Sequence, residues 1–117
     1  MNKSLPLLTY KNETGYLLDT HTAIGYGVLK QYQQETGDHT KTVLLSTASP
    51  YKFPESVYQA IYGEELDVYT AIDKLSEKTG VPVPQALAGI KEREVLHKEA
   101  IDKTEIISFI KSEIDAM

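Results

Sequence analysis

Two short polar segments hold the side chains most able to do chemistry: Asp19-Thr20-His21-Thr22 and Ser46-Thr47-Ala48-Ser49-Pro50. The second supplies three hydroxyls, each a neutral group with one O–H to donate. A serine nucleophile at Ser46 or Ser49 needs a neighbouring base and an acid to orient that base, and the flanking residues indicate neither. What remains for this segment is hydrogen bonding to a ligand. The first segment offers a carboxylate and an imidazole, although each of its residues can also cap a helix. His21, His39 and His97 are scattered and make no metal-ligand spacing, so no metal site is expected. The chain has no cysteine, which removes disulfides, thiolate ligands and thiol nucleophiles and fits a cytoplasmic protein. Lys52 reads as a solvated lysine near a helix start, His39 as a turn residue and His97 as a strand residue.

The elements around these segments decide what they can reach. Thr42-Val-Leu-Leu45 is a β-branched and apolar run, which predicts a strand over 42–46 buried on both faces. Pro50 bars its continuation and biases Ser49 towards extended backbone, and Pro54 suits the first turn of a following helix. Strand, polar turn, helix is therefore the expected unit, and the chain is organised around it. In an open parallel sheet ligands sit at the carboxyl ends of strands, where Thr47 falls.

Upstream, residues 1–14 show no clear period, and Asn12 to Gly15 reads as a turn. Tyr16-Leu-Leu18 leads the chain inward. Ile24, Val28, Leu29 and Tyr32 recur at helical spacing over 23–35. Gly25 and Gly27 inside that helix imply close packing against it, and Gly37 supplies a left-handed cap. Downstream, Val57, Tyr58, Ile61 and Tyr62 mark a helix closed by Gly63, with the tyrosines in the core. Val68, Tyr69, Ile72 and Leu75 mark another over 65–78, stopped by Gly80. Val81-Pro-Val-Pro84 is an extended connector, 85–89 one helical turn, and 94–101 a second, weaker strand. Asp102 to Glu105 reads as a capping box before a last helix that turns Ile106, Ile107, Ile110 and Ile114 inward.

Length and composition are those of one soluble domain, with 117 residues, 41% apolar and 25% charged. A formal charge of −5 argues against nucleic acid as a partner, and no apolar run approaches the ~20 residues of a membrane span.

Leu45-Ser-Thr-Ala-Ser-Pro-Tyr-Lys-Phe53 with its following helix resembles the C-terminal part of the threonine synthase family. Tyr16-Leu-Leu-Asp-Thr-His-Thr-Ala23 is similar to that family's Asp/Glu-Pro-His-Thr/Ala-Ala segment, and Val81 to Pro84 and Leu96-His-Lys98 onwards are similar to its closing section. Thr20 stands where the family often has Pro, and Ser49 where it often has His. The resemblance implies an α/β fold: a helix-rich partial parallel sheet, one fragment of the fold-type II (tryptophan synthase β-like) pyridoxal-phosphate enzyme fold. Residues 1–117 would then be a single C-terminal segment of a larger enzyme that converts O-phospho-L-homoserine and water to L-threonine and phosphate. On the same resemblance Thr47 matches the partner of the pyridine nitrogen of pyridoxal 5'-phosphate, and Asp19 and His21 line the cofactor pocket.

The family's Schiff-base lysine lies far upstream in a Phe-Lys-Asp context, and its Gly- and Asn-rich phosphate loop is not in this chain. No catalytic residue is therefore expected here. The remainder of the enzyme is the expected partner, and the chain alone should be inactive and self-associate. Two other readings are another fold-type II enzyme, such as a cysteine synthase or threonine dehydratase, and an autonomous α/β interaction module.

Overall fold

Aspartate and glycine set the ends of most helices. In the computed structural model, residues 4–117 are described, with side chains from Pro6 onwards. Five helices form among them: α1 (Ser4–Thr14), α2 (Thr20–Thr36), α3 (Pro54–Tyr62), α4 (Val68–Thr79) and α5 (Ile106–Asp115). Asp19 and Asp67 cap α2 and α4, each accepting from two backbone N–H groups of the first turn. Pro54 occupies the first turn of α3. Gly63 and Gly80 follow α3 and α4 at φ of 74° and 71°. Their N–H groups return to the carbonyls of Gln59 and Ser76. Glycine reaches that left-handed conformation at no steric cost. Asp102 and Glu105 form the expected capping box ahead of α5.

The strand expectation fails. Among the described residues no strand and no sheet is present, so the fold is all-helical rather than α/β with a partial parallel sheet. Residues 41–48 are an unpaired connector on the surface, with Val43 81% and Leu45 75% exposed. An apolar run becomes a buried strand only when backbone partners flank it. No described strand pairs with it, and 94–101, the second expected strand, is also an exposed connector. The unpatterned N-terminal region, by contrast, contains α1 from Ser4 on. Residues 1–3 lie outside the described residues.

The core forms where α1 packs on α2 and α3, and α3 on α4. Its centre is Leu7, Leu17, Leu18, Ala23, Tyr26, Tyr51, Val57, Tyr58, Ala71, Ile72 and Leu75. Of the four residues that mark the helical spacing of α2, Ile24, Val28 and Tyr32 are exposed and Leu29 is only partly buried; Ala23 and Tyr26 turn inward. The isoleucines of α5 are exposed as well. Both faces are apolar at helical spacing, but the core is already closed by other elements. The Cα radius of gyration, 19.0 Å, exceeds the roughly 13 Å of a compact chain this long.

Tyr26 illustrates how tightly the α1–α2 contact is made. Its hydroxyl donates to Glu13 at 2.7 Å, and its ring meets that of Tyr10 edge-on with centroids 4.7 Å apart. Burial and the Glu13 carboxylate together push the phenol up to about 12.

Candidate functional site

The two polar segments come together although no sheet joins them. Asp19 is buried and ends the Leu17-Leu18 entry into the core. Its Oδ2 accepts from the His21 N–H at 2.9 Å and the Thr22 N–H at 3.4 Å. Its Oδ1 accepts a very short hydrogen bond from the Thr22 hydroxyl. Burial alone would raise this carboxyl, but the bonds from Thr22 and His21 outweigh it and hold Asp19 below the usual carboxylate range. The Thr22 hydroxyl then lies 3.4 Å from that of Ser46, which ties the start of α2 to the segment carrying Thr47. A second contact reinforces this one. A Cβ at Gly25 would stand 3.0 Å from Leu44 Cδ1, so the bare backbone of Gly25 is what lets Leu44 lie against α2. The close packing expected at the α2 glycines is found there.

His21 is exposed, with Nδ1 3.2 Å from Asp19 Oδ2. Its ring lies 5.7 Å from that of Phe53, and Lys52 Nζ stands 5.7 Å from the same Phe53 centroid. Ser49 accepts from the Tyr51 N–H at 3.1 Å and so caps the 3-10 turn Pro50–Lys52. Tyr51 is buried, and its hydroxyl donates to the carbonyl of Val81, fixing this turn to the connector that follows α4.

Thr47 itself is exposed at the lining of a groove of about 620 Å³. The other walls are Ala48, Ser49, Tyr51 and Lys52, then Val68, Tyr69 and Ile72 of α4, and Pro84, Ala86, Leu87 and Ile90 of the following turn. A smaller cleft of about 270 Å³ adjoins it and shares Tyr69, Ile72, Leu87 and Ile90. The larger volume is in the range of small-molecule sites. No carboxylate lines it, and no described hydrogen bond engages the Thr47 hydroxyl. Asp19 and His21 do not line it. They reach the Thr47 segment only through Thr22, by the Ser46 contact, and through Phe53.

A family described as threonine synthase, C-terminal, matches residues 22–110. The chain belongs to this family. No curated protein matches it. The threonine synthase match takes in Thr22, the whole Ser46 to Phe53 segment, and both walls of the groove, whereas Asp19 and His21 fall just before its first residue.

Two groups escaped the reading of the sequence. Thr22 carries the link between the segments, and its signal was its place three residues after a capping aspartate, where a hydroxyl can reach back to the carboxylate. Tyr69 and Leu87 line the groove and had no signal, since Tyr69 shares the spacing of core residues and Leu87 lies in a short turn. Tyr58, Tyr62 and Tyr69 were all expected in the core. Tyr58 is buried and Tyr62 half-buried, their ring centroids 4.7 Å apart, but Tyr69 is 43% exposed. His39 and His97 are both exposed, His97 in a connector and not in a strand. Among the described residues no three His, Asp or Glu side chains are grouped to hold a metal. No described helix is long and apolar enough to cross a membrane.

Proposed function

We propose that this chain forms one wall of a pyridoxal-phosphate site in a threonine synthase that converts O-phospho-L-homoserine and water to L-threonine and phosphate. The observation that carries the reading is the Thr47 hydroxyl, without a partner among the described residues, on a groove that no carboxylate lines. A pyridine nitrogen that stays unprotonated needs a neutral donor, and Thr47 is one. A carboxylate at that place would favour the pyridinium, and the lining residues avoid it. The residues present therefore fit the ring end of the cofactor.

When bound, pyridoxal phosphate supplies the electron sink on which the chemistry of the substrate depends. Thr47 then donates its O–H to the ring nitrogen and carries no proton to or from substrate. Tyr51 holds the Thr47 turn against Val81, and Tyr69, Leu87 and Ile90 give the groove an apolar wall. Asp19 keeps α2 capped, and His21 stands beside it at the surface. The cradle for the cofactor phosphate and the covalent lysine come from the remainder of the enzyme. That remainder covers the exposed apolar faces of α2 and α5, and without it the same faces meet a second copy of the chain.

The test uses the chain by itself. It is mixed with pyridoxal phosphate, reduced with borohydride, and weighed by mass spectrometry. A lysine becomes a covalent acceptor when a desolvated pocket keeps its amine neutral. Lys52, at the groove, is exposed, so no site-specific adduct is expected. A stoichiometric adduct on one lysine would place the covalent chemistry in this chain and overturn the one-wall reading.

A further inference from the structure

We propose that Thr22 is a positioning residue which, with Gly25, sets where the Ser46–Thr47 segment stands on α2 and leaves the Thr47 hydroxyl free to meet a ligand. The inference rests on the proposed role of Thr47 only for what that hydroxyl is positioned to meet. Thr22 and Gly25 are three residues apart and share one face of α2. Leu44 and Ser46 are two residues apart, and both turn to α2. Ser46 meets Thr22 at 3.4 Å, and Leu44 lies over Gly25. The higher-numbered residue of the segment meets the lower-numbered residue of the helix, so the segment is held at two points and runs against the direction of α2. Thr47 is the next residue after the second point.

Proton counting separates the two adjacent hydroxyls. Thr22 has a single O–H, and its short bond runs to Asp19 Oδ1, which as a carboxylate only accepts. The bond between Thr22 and Ser46 must then be donated by Ser46. Ser46 spends its proton inside the protein, and Thr47 keeps its own. At 3.4 Å the contact is long for two hydroxyls, so its effect lies in orientation and little of it in stability.

The experiment is backbone amide relaxation of the chain itself, without cofactor, in Thr22→Val, Thr22→Ser and Ser46→Ala. Thr22→Val removes the relay while keeping the shape, and Thr22→Ser restores the hydroxyl. The order parameter at Thr47 should fall in Thr22→Val, with Val57 in α3 unchanged, and should recover in Thr22→Ser. Ser46 is exposed, so Ser46→Ala should loosen Thr47 equally without altering the melting temperature, and it decides the matter if Thr22→Val does not fold. An unchanged Thr47 in Ser46→Ala, or no recovery in Thr22→Ser, overturns the proposal. The readout needs no bound cofactor, so it can fail while the ligand role of Thr47 stands, or succeed while that role fails.

Discussion

Replacement of Leu75 by alanine should lower the unfolding free energy by about 2–5 kcal/mol, the range for truncating a fully buried leucine. Leu75 is completely buried on the inner face of α4, in the cluster with Val57, Tyr58, Ala71 and Ile72. The size of the effect follows from how little else closes that layer. Several large apolar side chains of this chain, among them Val28, Val43, Leu45 and Ile107, remain exposed and contribute little burial. A domain of ordinary stability has only about 5–15 kcal/mol in hand. Urea denaturation of Leu75→Ala beside Lys74→Ala, an exposed neighbour on the same helix, measures the difference. The lysine variant should stay within about 0.5 kcal/mol of the parent. Equal, small losses in both would mean that α3 and α4 do not pack as described.

The second large effect belongs to Asp19. Its carboxylate is buried and accepts from two backbone N–H groups and the Thr22 hydroxyl. Asp19→Ala removes an N-cap, a loss of about 0.5–2 kcal/mol. It also takes the acceptor from the buried Thr22 hydroxyl, whose remaining contact is the long one to Ser46, at a further cost of up to about 1–3 kcal/mol. Asp19→Asn tests the charge alone. Because the carboxyl is held below its usual range in the folded chain, its charge-dependent contribution is complete above the unfolded value near 3.9 and is lost as pH falls through the lower native value. The stability gap between the parent and Asp19→Asn should therefore be constant near neutrality and close on acidification below about pH 4. A gap that widens in acid would mean that the Asp19 carboxyl is raised, and that the bonds from Thr22 and His21 do not outweigh its burial.

How much of this was legible in the sequence follows from how local each signal is. Gly63, Gly80 and Asp102 act within one turn of backbone, and the helix ends they mark stand where the sequence puts them. Asp19 as a cap is equally local. The Thr42–Ser46 run failed because an apolar run is evidence about surroundings, and a strand exists only through neighbours that lie elsewhere. The same reason explains α5, whose helix was right and whose buried face was not. α1 was missed because its contacts to α2 and α3 are made by a few residues, such as Leu7 and Tyr10, that set no period. At the site, the sequence put Thr47 at the carboxyl end of a strand, and that strand is absent among the described residues. The turn is held by Tyr51, Leu44 and Thr22 in place of a sheet. Thr22 itself was hidden because its partner Ser46 is 24 residues away.

The central claim is that Thr47 presents a neutral hydroxyl to the ring nitrogen of pyridoxal phosphate. It is tested most directly by Thr47→Val in the assembled enzyme, with turnover of O-phospho-L-homoserine and cofactor affinity measured side by side. Thr47 is exposed and makes no described hydrogen bond, so the fold should be unaffected. Loss of one buried hydrogen bond to an otherwise unpaired acceptor costs about 1–3 kcal/mol, or about tenfold to hundredfold in rate if felt in the transition state. Thr47→Ser, which restores the donor, should recover most of it. Unchanged turnover and cofactor affinity in Thr47→Val would contradict the account.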